Sequence, residues 1–155
     1  MSKMHPTFAS ACASLHSKFE QLICKAPATI ENVSDTPKGG VYLFSEDDKH
    51  LYVGRTKRII SKRLKNHVGT AKDCPFAFRL AREVTGNTLA RYSGENTRKK
   101  LLANPDFLEA YEAAKGRIRR MGVRWVDEAD PVKQALLEVY VAVVLKTPYN
   151  DFDTH

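Results

Sequence analysis

Two tyrosines sit in neighbouring apolar runs, Val41-Tyr42-Leu43-Phe44 and Leu51-Tyr52-Val53, joined by the polar turn Glu46-Asp47-Asp48-Lys49. A strand tyrosine is ordinarily a packing residue with its hydroxyl at the surface. Two of them beside a basic segment say more, because nearby cations favour the phenolate. That segment, Arg55 to Lys65, holds Arg55, Lys57, Arg58, Lys62, Arg63 and Lys65 and no acid. Arg63 presents a planar fork that binds phosphate oxygens bidentately, which a lysine cannot copy. His67 follows it by four residues, so a helix would put both on one face. From there His67 could share proton transfer or hold a phosphate oxygen. Far downstream, Glu138 interrupts an otherwise apolar stretch. A carboxylate there is costly unless an arginine such as Arg63 or Arg124 neutralises it or a cation binds it. One carboxylate suits Mg²⁺, which keeps several waters and takes substrate phosphates as further ligands. His5, His16, His50 and His155 have no supporting neighbours.

The elements that must position these groups can be read from pattern. Phe8, Cys12, Leu15, Phe19, Leu22 and Ile23 recur at helical spacing and predict an amphipathic helix up to Pro27. It reads as cover for one sheet face, with a dimer contact as the alternative. Val41–Phe44 and Leu51–Val53 predict a hairpin, with Gly54 ending the second strand. Thr56 is the expected N-cap of a helix over Lys57–His67, with Ile60, Leu64 and Val68 as its buried stripe. Phe76–Val84 predicts a short helix with Arg79 and Arg82 exposed, broken at Gly86-Asn87. Leu89–Tyr92 suggests a small strand, and Pro105 to about Lys115 a helix with Phe107, Leu108 and Tyr111 inward. Gly122–Val126 predicts a third strand. Asp130-Pro131 opens a final helix to about Lys146, since Asp caps well and Pro suits the first helical position. Its nearly uniform apolarity predicts burial.

Composition bounds the possibilities. The chain has 155 residues, 43% apolar and 28% charged, with a net charge of +7 and a pI near 9.4. That fits one domain with its own core and suits a polyanionic partner. Two further basic clusters, Lys115-Arg117-Arg119-Arg120-Arg124 and Arg98-Lys99-Lys100, suggest a groove that tracks a phosphate backbone. Cys12, Cys24 and Cys74 are far apart with no metal-type spacing, which predicts reduced, mostly buried thiols. The absence of a signal-like or membrane-length apolar run predicts a cytoplasmic protein.

The order Gly40-Val41-Tyr42, Tyr52-Val53-Gly54, Arg63 and His67, Glu138, then Pro148-Tyr149-Asn150 resembles the GIY-YIG nuclease family. Valine replaces isoleucine in both halves of the motif. The resemblance implies a catalytic set of Tyr42, Tyr52, Arg63, His67, Glu138 and Asn150. Tyr42 would be the general base toward water and Tyr52 would position water or phosphate. Glu138 would be the metal ligand on the helix after the third strand. Asn150 would brace the site, whereas a turn asparagine is its plain reading. The step from Tyr52 to Arg63 is one residue longer than the commonest family spacing, and the stretch between His67 and Glu138 is also extended.

These readings predict an α/β (α+β) domain, a small, mostly antiparallel three-stranded sheet flanked by helices. Residues 1–38 would be a helical extension and connector, 39–68 and 122–150 the nuclease core, and 69–121 an inserted helical segment. The expected activity is a metal-dependent endonuclease using Mg²⁺ or Mn²⁺ on nucleic acid, DNA in the first instance. Arg55, Lys57, Arg58, Lys62 and Lys65 would bind its backbone, and a homodimer is one way to cut both strands. The rivals are an inactive DNA-binding module of the same fold and a protein-interaction domain.

Overall fold

The computed structural model describes residues 2–70, 74–86 and 97–152. The suggested strand at Leu89–Tyr92, and His155, lie outside them. The expected α+β architecture is present, with helices flanking a three-stranded antiparallel sheet of order β2-β1-β3. Helix α1 (Pro6–Cys24) precedes β1 (Lys38–Glu46) and β2 (Lys49–Ile59). Helices α2 (Ile60–Asn66), α3 (Pro75–Thr85), α4 (Arg98–Ala103) and α5 (Pro105–Arg119) follow, then β3 (Gly122–Asp127) and α6 (Pro131–Leu145).

β1 is the central strand, and alternation along it feeds two cores. Tyr42 and Phe44 join Ile60, Leu64, Phe76, Phe78, Phe107, Tyr111 and Ile118 on the face covered by α2, α3 and α5. Val41 and Leu43 join Val53, Val126, Leu15, Phe19, Leu22, Leu137 and Val141 on the face covered by α1 and α6. The first helix therefore covers a sheet face, as its periodicity suggests. Asp47 and Asp48 turn the hairpin at φ of 50° and 63°, the left-handed pair that suits right-twisted strands. α5 and α6 begin as expected. Asn104 Oδ1 accepts from the backbone amides of Asp106 and Phe107, and Asp130 Oδ1 accepts from that of Val132.

Six expectations are corrected. Gly54 does not end β2, and Thr56 caps no helix. The ladder continues through Gly40↔Thr56 to Lys38↔Ile59, because β1 starts three residues earlier than its apolar run. The helix begins at Ile60, where Thr36 Oγ1 accepts from the Ser61 amide at 2.8 Å. Arg82 is buried, its guanidinium over the Phe78 ring. α6 is buried on one face only, since α1 and the sheet leave Val132, Val139, Val143 and Val144 exposed. Of the cysteines only Cys74 is buried, and all three are free thiols. Last, the Lys115–Arg124 cluster is not a free groove. Lys115 is buried and donates to the Gly69 carbonyl. Arg117 pairs with Glu46, Arg119 donates to the Val68 carbonyl, and Arg124 to that of Lys25. Four of the five cations thus hold elements together, although Arg119 and Arg120 are also exposed. α4 had no sequence signal.

Among the described residues, no helix is long and apolar enough to cross a membrane.

Candidate active site

Register builds the site from its centre. Tyr42 on β1 faces Gly54 on β2. A Cβ at Gly54 would lie 2.5 Å from the Tyr42 ring and hydroxyl. The glycine is there for close approach, letting the phenol lie across its neighbour strand. The Tyr42 hydroxyl reaches His67 Nε2 at 2.6 Å. His67 caps the end of α2 and is wholly buried. It meets the rings of Tyr42, Phe44 and Tyr52 edge-on. It stands behind Tyr42, so the expectation that it holds a phosphate oxygen is not met. The Tyr52 ring stacks on Phe76 at 4.7 Å.

A cleft of 510 Å³ opens in front of this pair. Tyr42, Tyr52, Gly54, Arg55, Thr56, Lys57, Arg58, Arg63, Gln134 and Glu138 line it. β2, α2 and α6 therefore meet at one place, and phenol, guanidinium and carboxylate groups share it. Of the expected contact residues, Arg55, Lys57 and Arg58 line the cleft. Lys62 and Lys65 are exposed on α2 outside its lining. Asn150 is not in the wall. Its side-chain oxygen accepts from the Val53 amide at 2.9 Å and its nitrogen donates to the Val53 carbonyl at 2.7 Å. It thus occupies both backbone groups of one residue on the edge strand, between Tyr52 and Gly54. Arg79 holds the preceding carbonyl of Tyr149 at 2.8 Å.

The electrostatics follow from burial. Burial raises the Tyr42 phenol well above its ordinary range, and Arg63 only partly offsets this. The expectation that cations favour the phenolate is therefore overturned, because desolvation of a side chain 1% exposed outweighs the neighbouring charge. Tyr52 is raised too, by burial and then by Glu138. Burial, with Arg63 adding to it, pushes His67 down to about 3, so its imidazole is neutral. Burial lifts Glu138 above the usual carboxylate value while Arg55 opposes that. The ion-pair partner of Glu138 is thus Arg55, at 3.6 Å, and not Arg63 or Arg124.

Sequence reasoning missed Gly54's packing role, Thr56 and Gln134. An inward-facing glutamine one turn before Glu138 was the signal available for the last.

No curated protein and no solved structure gives a match to this chain. The family model of the GIY-YIG catalytic domain matches residues 38–114. The matched segment runs from β1 into α5 and includes Tyr42, Tyr52, Arg63 and His67, while Glu138 and Asn150 lie beyond it. With the antiparallel sheet and this ordered set of side chains, the chain carries a nuclease-type domain of the GIY-YIG family.

Proposed function

We propose that this protein is a divalent-metal-dependent endonuclease that hydrolyses phosphodiester bonds, with DNA as its substrate. The observation that carries the reading is the shared cleft, where Tyr42, Tyr52, Arg63 and Glu138 face one space together with Arg55, Lys57 and Arg58. Phosphodiester hydrolysis needs water stripped of a proton, phosphoryl charge neutralised and a leaving oxygen stabilised. The phenol of Tyr42 is neutral, so it positions the attacking water by hydrogen bonding, and its own hydroxyl is held in place by the imidazole of His67, 2.6 Å away. Tyr52 orients water or a phosphate oxygen from the next strand. Arg63 clamps the scissile phosphate. Asn150 keeps β2 in register so that both phenols hold their places.

The donor set fits one divalent ion. Among the described residues no group of three or more His, Cys, Asp or Glu gathers, so the protein offers a single carboxylate in a roomy cleft. That arrangement suits hydrated Mg²⁺ or Mn²⁺, which takes phosphate oxygens to complete its shell. Glu138 would hold the ion, whose bound charge neutralises the phosphoryl group and its leaving oxygen. A single cleft of this kind cuts one strand per visit.

The test is incubation of labelled single- and double-stranded DNA with Mg²⁺, Mn²⁺ or EDTA, beside a Glu138→Ala protein. Cleavage that requires the metal and is lost in Glu138→Ala is the expected result. Salt-sensitive binding with no cleavage under any of these conditions would leave a binding module instead.

A further inference from the structure

Gln134 stands one turn before Glu138 on α6 and lines the same cleft. It is 1% exposed. Its amide nitrogen donates to the Glu128 carbonyl. A carbonyl only accepts, so that contact fixes which end of the amide is nitrogen. The oxygen must then point the other way, and among the described residues it is buried with no hydrogen-bond partner. The fold goes to some length to hold this orientation. Gly39 takes a φ of +91°, and a Cβ there would come within 3.1 Å of the amide nitrogen. A buried acceptor left unpaired carries its full desolvation penalty, so an uncommitted one beside a charged cleft points to a partner that arrives with the ligand.

The partner must be a hydrogen-bond donor, and it must be small. A phosphodiester backbone presents only acceptors. Water bound to a cation is both small and a strong donor. Arg55 pairs with Glu138 at 3.6 Å, and with its side chain 43% exposed it can swing outward when an ion takes its place.

We propose that the Gln134 amide oxygen accepts a hydrogen bond from a water in the shell of the cation held at Glu138, making it a positioning residue for that ion. The inference rests on the metal-dependent reading given above. Carboxylate and amide, four residues apart on one helix face, then form one oxygen-lined subsite, with direct coordination from Glu138 and an outer contact from Gln134.

The test measures Mn²⁺ binding to the free protein by electron paramagnetic resonance, which does not depend on cleavage. Wild type is compared with Gln134→Leu, Gln134→Glu and Glu138→Gln, each checked for its melting temperature and for DNA affinity in EDTA. Gln134→Leu is expected to weaken Mn²⁺ binding about tenfold while leaving DNA affinity in EDTA unchanged. Gln134→Glu, which keeps an oxygen, is expected to bind Mn²⁺ at least as tightly as wild type. If Gln134→Leu lowers the melting temperature but binds Mn²⁺ like wild type, Gln134 merely ties α6 to the loop before it and the proposal fails. If both Gln134 variants weaken Mn²⁺ equally, distortion is the cause and the proposal also fails. If Glu138→Gln binds Mn²⁺ as wild type does, the metal reading itself falls and this inference falls with it.

Discussion

In the proposed reaction, Tyr42 and His67 form the pair that positions the attacking water. Removing only the hydroxyl, as in Tyr42→Phe, keeps the ring packed against Gly54 and takes away the group that would position the water. Cleavage should fall about 10²–10⁴-fold, and the melting temperature should drop by only a few degrees, because His67 Nε2 is left buried without its partner at a cost of about 1–3 kcal/mol. Steady-state cleavage beside thermal denaturation checks both. His67 also links stability to pH. Its folded value is about 3, against roughly 6.5 for an unfolded histidine. Between those values the unfolded chain holds one more proton than the folded chain, so stability rises with pH across that window. The contribution is complete above about pH 6.5 and is lost as pH falls toward 3. Its size is on the order of a few kcal/mol. Melting temperatures measured from pH 7 to pH 4.5 should drop in the wild type, and the drop should be visibly smaller in His67→Gln.

β2 is the element that decides whether these residues become a site. It is an edge strand whose inner neighbour supplies Tyr42 and whose outer groups at Val53 are taken by Asn150. Adding one methyl group in Gly54→Ala would drive a Cβ into the Tyr42 ring. Overpacking of this kind costs about 1–3 kcal/mol, and the displaced phenol would lose His67. Urea denaturation should show that loss, and activity should fall by more than the change in folded fraction accounts for. Asn150→Ala leaves both Val53 backbone groups without these partners. Hydrogen exchange at the Val53 amide should accelerate well beyond that of residues at the far end of β2.

Across the whole molecule, the net charge of +7 is divided between two jobs. Arg55, Lys57, Arg58 and Arg63 face the cleft, whereas Lys115, Arg117, Arg119 and Arg124 are tied to carbonyls or to Glu46. DNA affinity measured against salt should separate them. Lys57→Ala should weaken binding and lower the slope of log affinity against log salt by about one. Arg117→Ala removes a two-bond contact with Glu46, so it should lower the melting temperature and leave that slope unchanged. The sum of charge in the sequence is the same for both variants, and only placement tells them apart.

The sequence by itself determined the hairpin, the third strand, the first and last helices and the ordered set of chemical groups. These are local matters. Alternation, helical periodicity and the Asp130-Pro131 start act within a few residues, and Tyr42, Tyr52, Arg63 and Glu138 were each visible from side-chain type and neighbours. What depended on distant chain was decided only by the fold. Whether Gly54-Arg55-Thr56 turns or stays extended is set by the strand opposite, which supplies hydrogen-bond partners as far as Lys38. Whether Tyr42 ionises is set by burial under α2 and α3, because desolvation is a property of the assembled core. Glu138 found its counter-charge in Arg55, 83 residues away in the chain, and Gln134 became a lone acceptor only when Glu128 and Gly39 closed around its amide. Tertiary contact, through the loss of water and the supply of partners, converts a list of suitable side chains into a site.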